Sequence, residues 1–271
     1  MTNSARTGPF GAAVYEEVQL PHSPLVRVLT QVRFPRLSAL ATGNELALQI
    51  AGDLSNAYPI YDESRELEIT ITEERINQAP GAKTMWRLKS ADEKWTVTFA
   101  DNFFALETTA YAGREDFTFR FKDAWSRFDA AVNPPSVQRV GVRYTNRITN
   151  SSILRDLKTM VDPGILGGSA ESLQHAQLVH SMGETLYQLD GNSGLLSRWG
   201  ILPPNAVLDP TLPPAEERSW VLDIDSFSDR RHESAAQALF EEIAQLAQQS
   251  YQYFRWVTND RFLETFGGEV L

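Results

Sequence analysis

Val137-Gln138-Arg139-Val140-Gly141-Val142-Arg143-Tyr144-Thr145-Asn146-Arg147-Ile148 is the stretch on which the fold turns. Val140, Val142 and Tyr144 recur at period two, while Arg139, Arg143 and Arg147 take the alternate positions. The segment therefore reads as a β-strand with one apolar and one cationic face. Residues 24–35 repeat the pattern, with Val26, Val28, Val32 and Phe34 on one side and Arg27, Gln31 and Arg33 on the other. Pro24 and Pro35 bound that strand, because proline withholds a ladder donor.

Each of these strands opens half of the chain, and both halves close alike. A strand at 103–111 runs into an amphipathic helix at 114–132, and a strand at 220–227 runs into another at 233–254. The order predicts an α+β fold. Two pseudo-repeats of strand, helix, antiparallel strands and helix would form a curved sheet with two long helices packed on one face. This is the element order of TATA-box-binding-type folds. The expected organisation is a flexible leader at 1–22, a first repeat at 23–135 and a second at 136–271, in one continuous domain.

Between these anchors the pattern fills in. Leu46, Ile50 and Leu54 place a helix at 44–56, and alternation at 65–72 reads as a strand. Residues 84–90 and 95–100 read as a hairpin, and 151–160 as a short helix. Strands are expected at 174–181 and 184–199, the second interrupted near Gly191-Asn192. Five prolines (Pro203, Pro204, Pro210, Pro213 and Pro214) make 200–219 an irregular surface excursion. A last helix at 259–266 would be capped by Thr258 or Asn259 and stopped by Gly267-Gly268. Phe117, Phe121, Trp125, Phe128 and Val132 form a stripe along the first long helix that reads as core.

Composition bounds the function. The 271 residues are 42% hydrophobic and 22% charged, with a formal net charge of −10. No apolar run suits a membrane span, and the first twenty residues lack the apolar core of a secretory signal. Cysteine is absent, which removes disulfides, thiolate metal sites and a cysteine nucleophile, and fits a cytoplasmic setting. The acidic balance repels phosphate backbones, so nucleic acid is disfavoured as a partner and a protein partner is expected.

The candidate binding face combines Arg139, Arg143 and Arg147 with Asp223 and Asp225. If their strands share a sheet, the five side chains crowd its polar side. The favoured reading is a cross-strand ion-pair lattice that sets strand register. The alternative is a metal-dependent hydrolase or nuclease. Asp223 and Asp225 would then hold a divalent cation, with Glu107 or His232, while the arginines clamp a phosphate or carboxylate. His175 and His180 would point to opposite faces of a strand and share no metal. No nucleophile elbow or phosphate loop is present, and no cofactor is implied. A third reading is a small-ligand pocket lined by Trp125, Phe128 and Phe240.

Pro24-Leu25-Val26, Val32-Arg33-Phe34-Pro35, the central Arg139–Ile148 segment and Leu222-Asp223-Ile224-Asp225 together resemble a sporadically distributed bacterial family of uncharacterised proteins. The resemblance spans about residues 15–266. It brings no activity, cofactor or catalytic residue. The scattered distribution of such a family implies an accessory gene of a mobile, defence or toxin-neutralising kind. The reading that emerges is a non-enzymatic protein-interaction or scaffold module.

Overall fold

A computed structural model describes residues 8–10, 15–41, 44–66, 69–72, 75–78, 83–170, 174–232 and 236–269. The protein is α+β. In chain order its elements are β1 (Leu25–Arg33), α1 (Ser38–Ala41), α2 (Glu45–Leu54), β2 (Ile60–Glu66), β3 (Ile69–Thr72), β4 (Arg75–Gln78), β5 (Lys83–Lys89), β6 (Trp95–Ala100) and β7 (Phe103–Thr108). These are followed by α3 (Arg114–Val132), β8 (Arg139–Ile148), α4 (Ser151–Asp156), β9 (Ser181–Leu189), β10 (Ser193–Leu202), β11 (Ser219–Ser228), α5 (Ala236–Val257) and α6 (Asp260–Thr265). Nine strands form one sheet in the order β2-β5-β6-β7-β1-β8-β11-β10-β9, and β3 pairs with β4 in a separate ribbon. The pairs β2–β5, β5–β6, β6–β7, β10–β11 and β9–β10 are antiparallel.

The chain divides into two compact units. One comprises residues 1–28, 142–228 and 244–271; the other comprises 29–141 and 229–243.

The second of these units is built around aromatic packing. Alternation along β6 and β7 and the stripe of α3 deliver Phe99, Phe104, Phe121, Trp125 and Phe128 to one core, where each is at most 1% exposed. Phe104 meets Trp125 edge-on at 5.5 Å and lies 4.9 Å from Phe128. Such offset contacts add about 0.5–1.5 kcal/mol per pair beyond area burial. Trp125 and Phe128 are thus packing residues. Phe240 stands edge-on to Phe121 at 6.4 Å. The β5–β6 hairpin closes because Ser90 Oγ accepts the Trp95 N–H at 3.0 Å while Asp92 accepts the Ser90 hydroxyl and the Lys94 N–H. Asn133, at φ 46°, caps α3 from the left-handed region, and Pro134 follows.

The first unit has an aliphatic and aromatic core. Leu195, Trp199, Trp220, Leu222 and Ile224 from β10 and β11 pack with Tyr253, Val257, Phe262 and Leu263 from α5 and α6. The Asn259 side chain accepts the Phe262 N–H at the start of α6, and Gly267, at φ 83°, ends it. Residues at the expected leader's end are anchored here: the Tyr15 backbone exchanges two hydrogen bonds with the Gln252 side chain, and Tyr251 Oη accepts the Val18 N–H.

Several expectations need correction. Residues 174–180 are not a strand; His175 has φ 63°, a left-handed conformation that no strand accommodates, and β9 begins at Ser181. The interruption expected near Gly191-Asn192 within 184–199 is present as a hairpin turn, where both residues adopt positive φ between β9 and β10. The strand expected at 65–72 is divided between β2 and β3, and its residues 67 and 68 lie outside the described residues, as do Glu73 and Glu74. The helix expected at 151–160 is α-helical only through Asp156, then continues as a 3-10 turn at Leu157–Thr159. Among the described residues, no helix is long and apolar enough to cross a membrane.

The α3 stripe gives a direct test. Phe128 is fully buried, whereas Phe119 on the same helix is 73% exposed. Phe128→Ala should destabilise the protein by about 3–5 kcal/mol in urea unfolding, and Phe119→Ala by less than about 0.5 kcal/mol.

Candidate functional site

Strand parity places Arg143, Thr145 and Arg147 on one face of β8. Antiparallel pairing of β10 with β11 sets Arg198 directly opposite Asp223 and Leu196 opposite Asp225, so each pair shares a face. The Asp223 carboxylate is the centre of this arrangement. Its side chain is 1% exposed. Oδ1 accepts from Arg143 Nε at 2.8 Å and from the Thr145 hydroxyl at 2.8 Å. Oδ2 has no hydrogen bond among the described residues and lies 3.9 Å from Arg198 Nη1. Arg198 Nε in turn donates to Glu184 on β9 at 2.6 Å.

The network continues into the proline-rich segment. Asp209 Oδ2 accepts from Arg143 Nη1 at 2.8 Å and from Arg27 Nη2 at 2.9 Å. Its Oδ1 accepts the Thr211 backbone N–H and hydroxyl, closing a local turn. Arg27 Nη1 donates to Thr211 Oγ1, and Arg147 Nη1 donates to the Pro213 carbonyl at 2.6 Å. Three arginines from two strands thus grip residues 209, 211 and 213 of one strap. Leu212 and Ala215 of the same strap are buried. The excursion expected at 200–219 is irregular from residue 203 to 218, as read from the prolines, yet it is clamped to the sheet.

Burial governs the strength of these contacts. Arg27, Asp209 and Arg143 side chains are 6%, 12% and 17% exposed, so their Coulomb attraction is weakly screened. Burial disfavours the charged form of Arg143, but its bond to Asp223 and the charges of Asp223, Asp209 and Asp225 outweigh that and raise its pKa. Burial likewise pushes the Asp209 carboxyl upward. The Thr211 hydroxyl and N–H, then Arg27 and Arg143, overcome this and hold it down at about 2. Removing one member of such a buried pair strands a charge, at a cost of about 3–5 kcal/mol. Arg139 differs: it pairs with Asp229 at 2.7 Å with both partners well exposed, a contact worth about 0–1 kcal/mol.

The five residues singled out from sequence therefore divide. Arg143 and Asp223 are in direct contact, and Asp225 acts on Arg143 through its charge. Arg147 holds the strap, and Arg139 binds Asp229 instead. Asp223 is buried and already bonded, rather than displayed on an open polar face. Among the described residues, no three His, Cys, Asp or Glu side chains are placed to hold a metal ion. His232 Nε2 lies 3.0 Å from Glu242. Asp209, Thr211 and Thr145 escaped the sequence reading. Thr145 was legible from parity with Arg143, and Asp209-Pro210-Thr211 carries the composition of a turn that fixes its own acid.

No model of a known protein family matches the chain, and no curated protein matches it.

The Asp209 shift dictates an acid dependence. A carboxyl lowered from 3.8 to about 2 contributes stability that is fully present above the unfolded value and lost as pH falls toward the folded one. Urea unfolding between about pH 5 and about pH 2 should show this contribution disappear, on the order of 2 kcal/mol. Asp209→Asn should be less stable at neutral pH and lose that part of the slope.

Proposed function

We propose that the protein is a non-enzymatic interaction module that takes a protein partner on the β9 edge of its sheet. The observation that carries this reading is the contrast between the two edge strands. In β2 four of seven residues are charged (Asp62, Glu63, Arg65 and Glu66), the usual device that keeps an edge from pairing. In β9, Ser-Met-Gly-Glu-Thr-Leu-Tyr-Gln-Leu, the sole charge is Glu184, which Arg198 engages. It contains no lysine or proline, and its register with β10 runs without a bulge from Ser181↔Ile201 to Leu189↔Ser193. Leu186 is 60% exposed on it, and Val179, in the segment leading in, is 63% exposed. An extended partner segment could add a strand there, with main-chain bonds giving affinity and Leu186 giving apolar contact.

Further support comes from how the charged residues are used. Arg143 bonds to Asp223, Arg147 holds the strap and Arg139 pairs with Asp229, which favours a scaffold over a catalytic centre. The net charge of −10 favours a basic partner through long-range attraction. The strand order β5-β6-β7-β1 followed by β8-β11-β10-β9 is mirror-like, which supports a duplicated unit of the kind seen in TATA-box-binding-type folds. With the resemblance drawn from residues 15–266, these points support a bacterial accessory protein of a defence or toxin-neutralising kind acting in the cytoplasm.

Affinity capture from the native host, compared between wild type and Leu186→Lys, tests the edge. A partner retained by wild type and lost by the equally stable variant is the expected result, with slowed amide exchange across 181–189 in the recovered complex. Recovery of the chain alone at low and high salt would contradict the reading, as would equal retention by Leu186→Lys.

A further inference from the structure

The unit containing the strap also contains a cleft of about 890 Å³ that lies apart from the arginine–aspartate network and plays no part in the proposal above. Its size falls within the roughly 300–1,000 Å³ usual for small-molecule sites. The floor is apolar. Leu157, Leu166 and Ile201 are each under 5% exposed and face it with Leu154 and Leu178. The rim is cationic: Arg155 and Lys158 come from α4 and the 3-10 turn after it, and Arg218 comes from the residue just before β11.

These three cations are exceptional within their unit. Arg27, Arg143, Arg198, Arg255 and Arg261 each have a carboxylate partner, and Arg147 has a carbonyl. Arg155, Lys158 and Arg218 have no hydrogen bond or ion pair among the described residues, and all three border the same cleft. Arg218 is partly buried, and its Nε is shut off from solvent without an acceptor. A buried donor in that condition carries an uncompensated desolvation cost, which an acceptor oxygen in the cleft would recover. Among the described lining residues one acid, Glu217, shares the rim, and it has no hydrogen bond or ion pair among the described residues. Among the described lining residues the balance is three positive charges against one negative, in a chain whose overall charge is −10.

We infer that this cleft binds a small organic phosphate, with the phosphoryl group at Arg155, Lys158 and Arg218 and an apolar body over the leucine floor. The charge count selects the class. A phosphate monoester carries about −1.5 to −2 at pH 7 and matches the surplus of the rim, whereas a carboxylate supplies one charge and two oxygens. Two guanidinium forks present planar donor pairs suited to phosphoryl oxygens, and Lys158 supplies a mobile point charge. The floor selects against inorganic phosphate, because only a ligand with an apolar body gains from covering Leu154 and Leu178. Glu217 is placed to accept from a hydroxyl or amino group on that body.

Calorimetric titration of the full chain with phenyl phosphate and with adenosine monophosphate tests this, using inorganic phosphate and benzoate as comparison probes. At least one of the two organic phosphates should bind saturably and more tightly than either comparison probe. Arg155→Gln and Lys158→Gln replace exposed side chains and should each weaken it by about tenfold, the loss of one charge-assisted bond. Arg218→Gln should do the same, and Arg261→Gln, whose arginine pairs with Asp156, should leave binding unchanged. Absence of saturable binding by both organic phosphates overturns the inference. So does benzoate binding as tightly as phenyl phosphate, or equal affinity in Arg155→Gln, Lys158→Gln and wild type. Because Leu186 does not line the cleft, Leu186→Lys should bind the probe as wild type does, which separates this result from the fate of the β9 edge.

Discussion

Asp223 is a carboxylate sealed from water on a central strand, and the unit around it depends on how that charge is met. Arg143 answers it with Nε, Thr145 adds a hydroxyl, and Arg198 stands on the strand opposite. Because Arg143 also reaches Asp209 through Nη1, one guanidinium ties the sheet to the strap. A lone buried charge would cost several kcal/mol, so each member of the chain Arg27, Asp209, Arg143, Asp223 is retained by the presence of its neighbour. Prolines shape the strap, and the ion pairs seat it.

This arrangement bears on function by subtraction. Arginines that look like a ligand clamp in a list of residues each have an acceptor once folded, and Asp223 has given one oxygen to two donors. The groups with capacity to spare lie elsewhere: the backbone and Leu186 along the β9 edge, and the three cations that rim the leucine-floored cleft. The first is where we propose that an extended peptide adds, and the second where we propose that a phosphorylated small molecule binds. Both belong to the same unit, and neither needs the charged network to open.

Much of the framework was readable from local periodicity. The α3 stripe gave both ends of that helix, and alternation gave β8, β11 and the β5–β6 hairpin, because each depends on neighbours a few residues away. Parity and an assumed common sheet grouped Arg143 and Asp223 on one polar face without pairing them; folding brings the two into direct contact. The partners that complete the site were not legible. Arg27 and Asp209 are separated by 182 residues, and Arg143 and Asp209 by 66, with the acid in a segment that has no period to read. His175 shows the opposite limit. The apolar and polar alternation around it suggested a strand, yet its left-handed backbone belongs to a turn. The cleft rim escaped for a similar reason, since Arg155, Lys158 and Arg218 converge only through folding.

The central claim is that buried charge, rather than loop sequence, fixes the strap to the sheet. A double-mutant cycle on Arg143 and Asp209, using Arg143→Met, Asp209→Asn and the pair, measures it directly by urea unfolding. The account predicts a coupling of at least about 1.5 kcal/mol, well above the roughly 0.2–1 kcal/mol of an exposed pair. Losses that simply add, within about 0.3 kcal/mol, would contradict it.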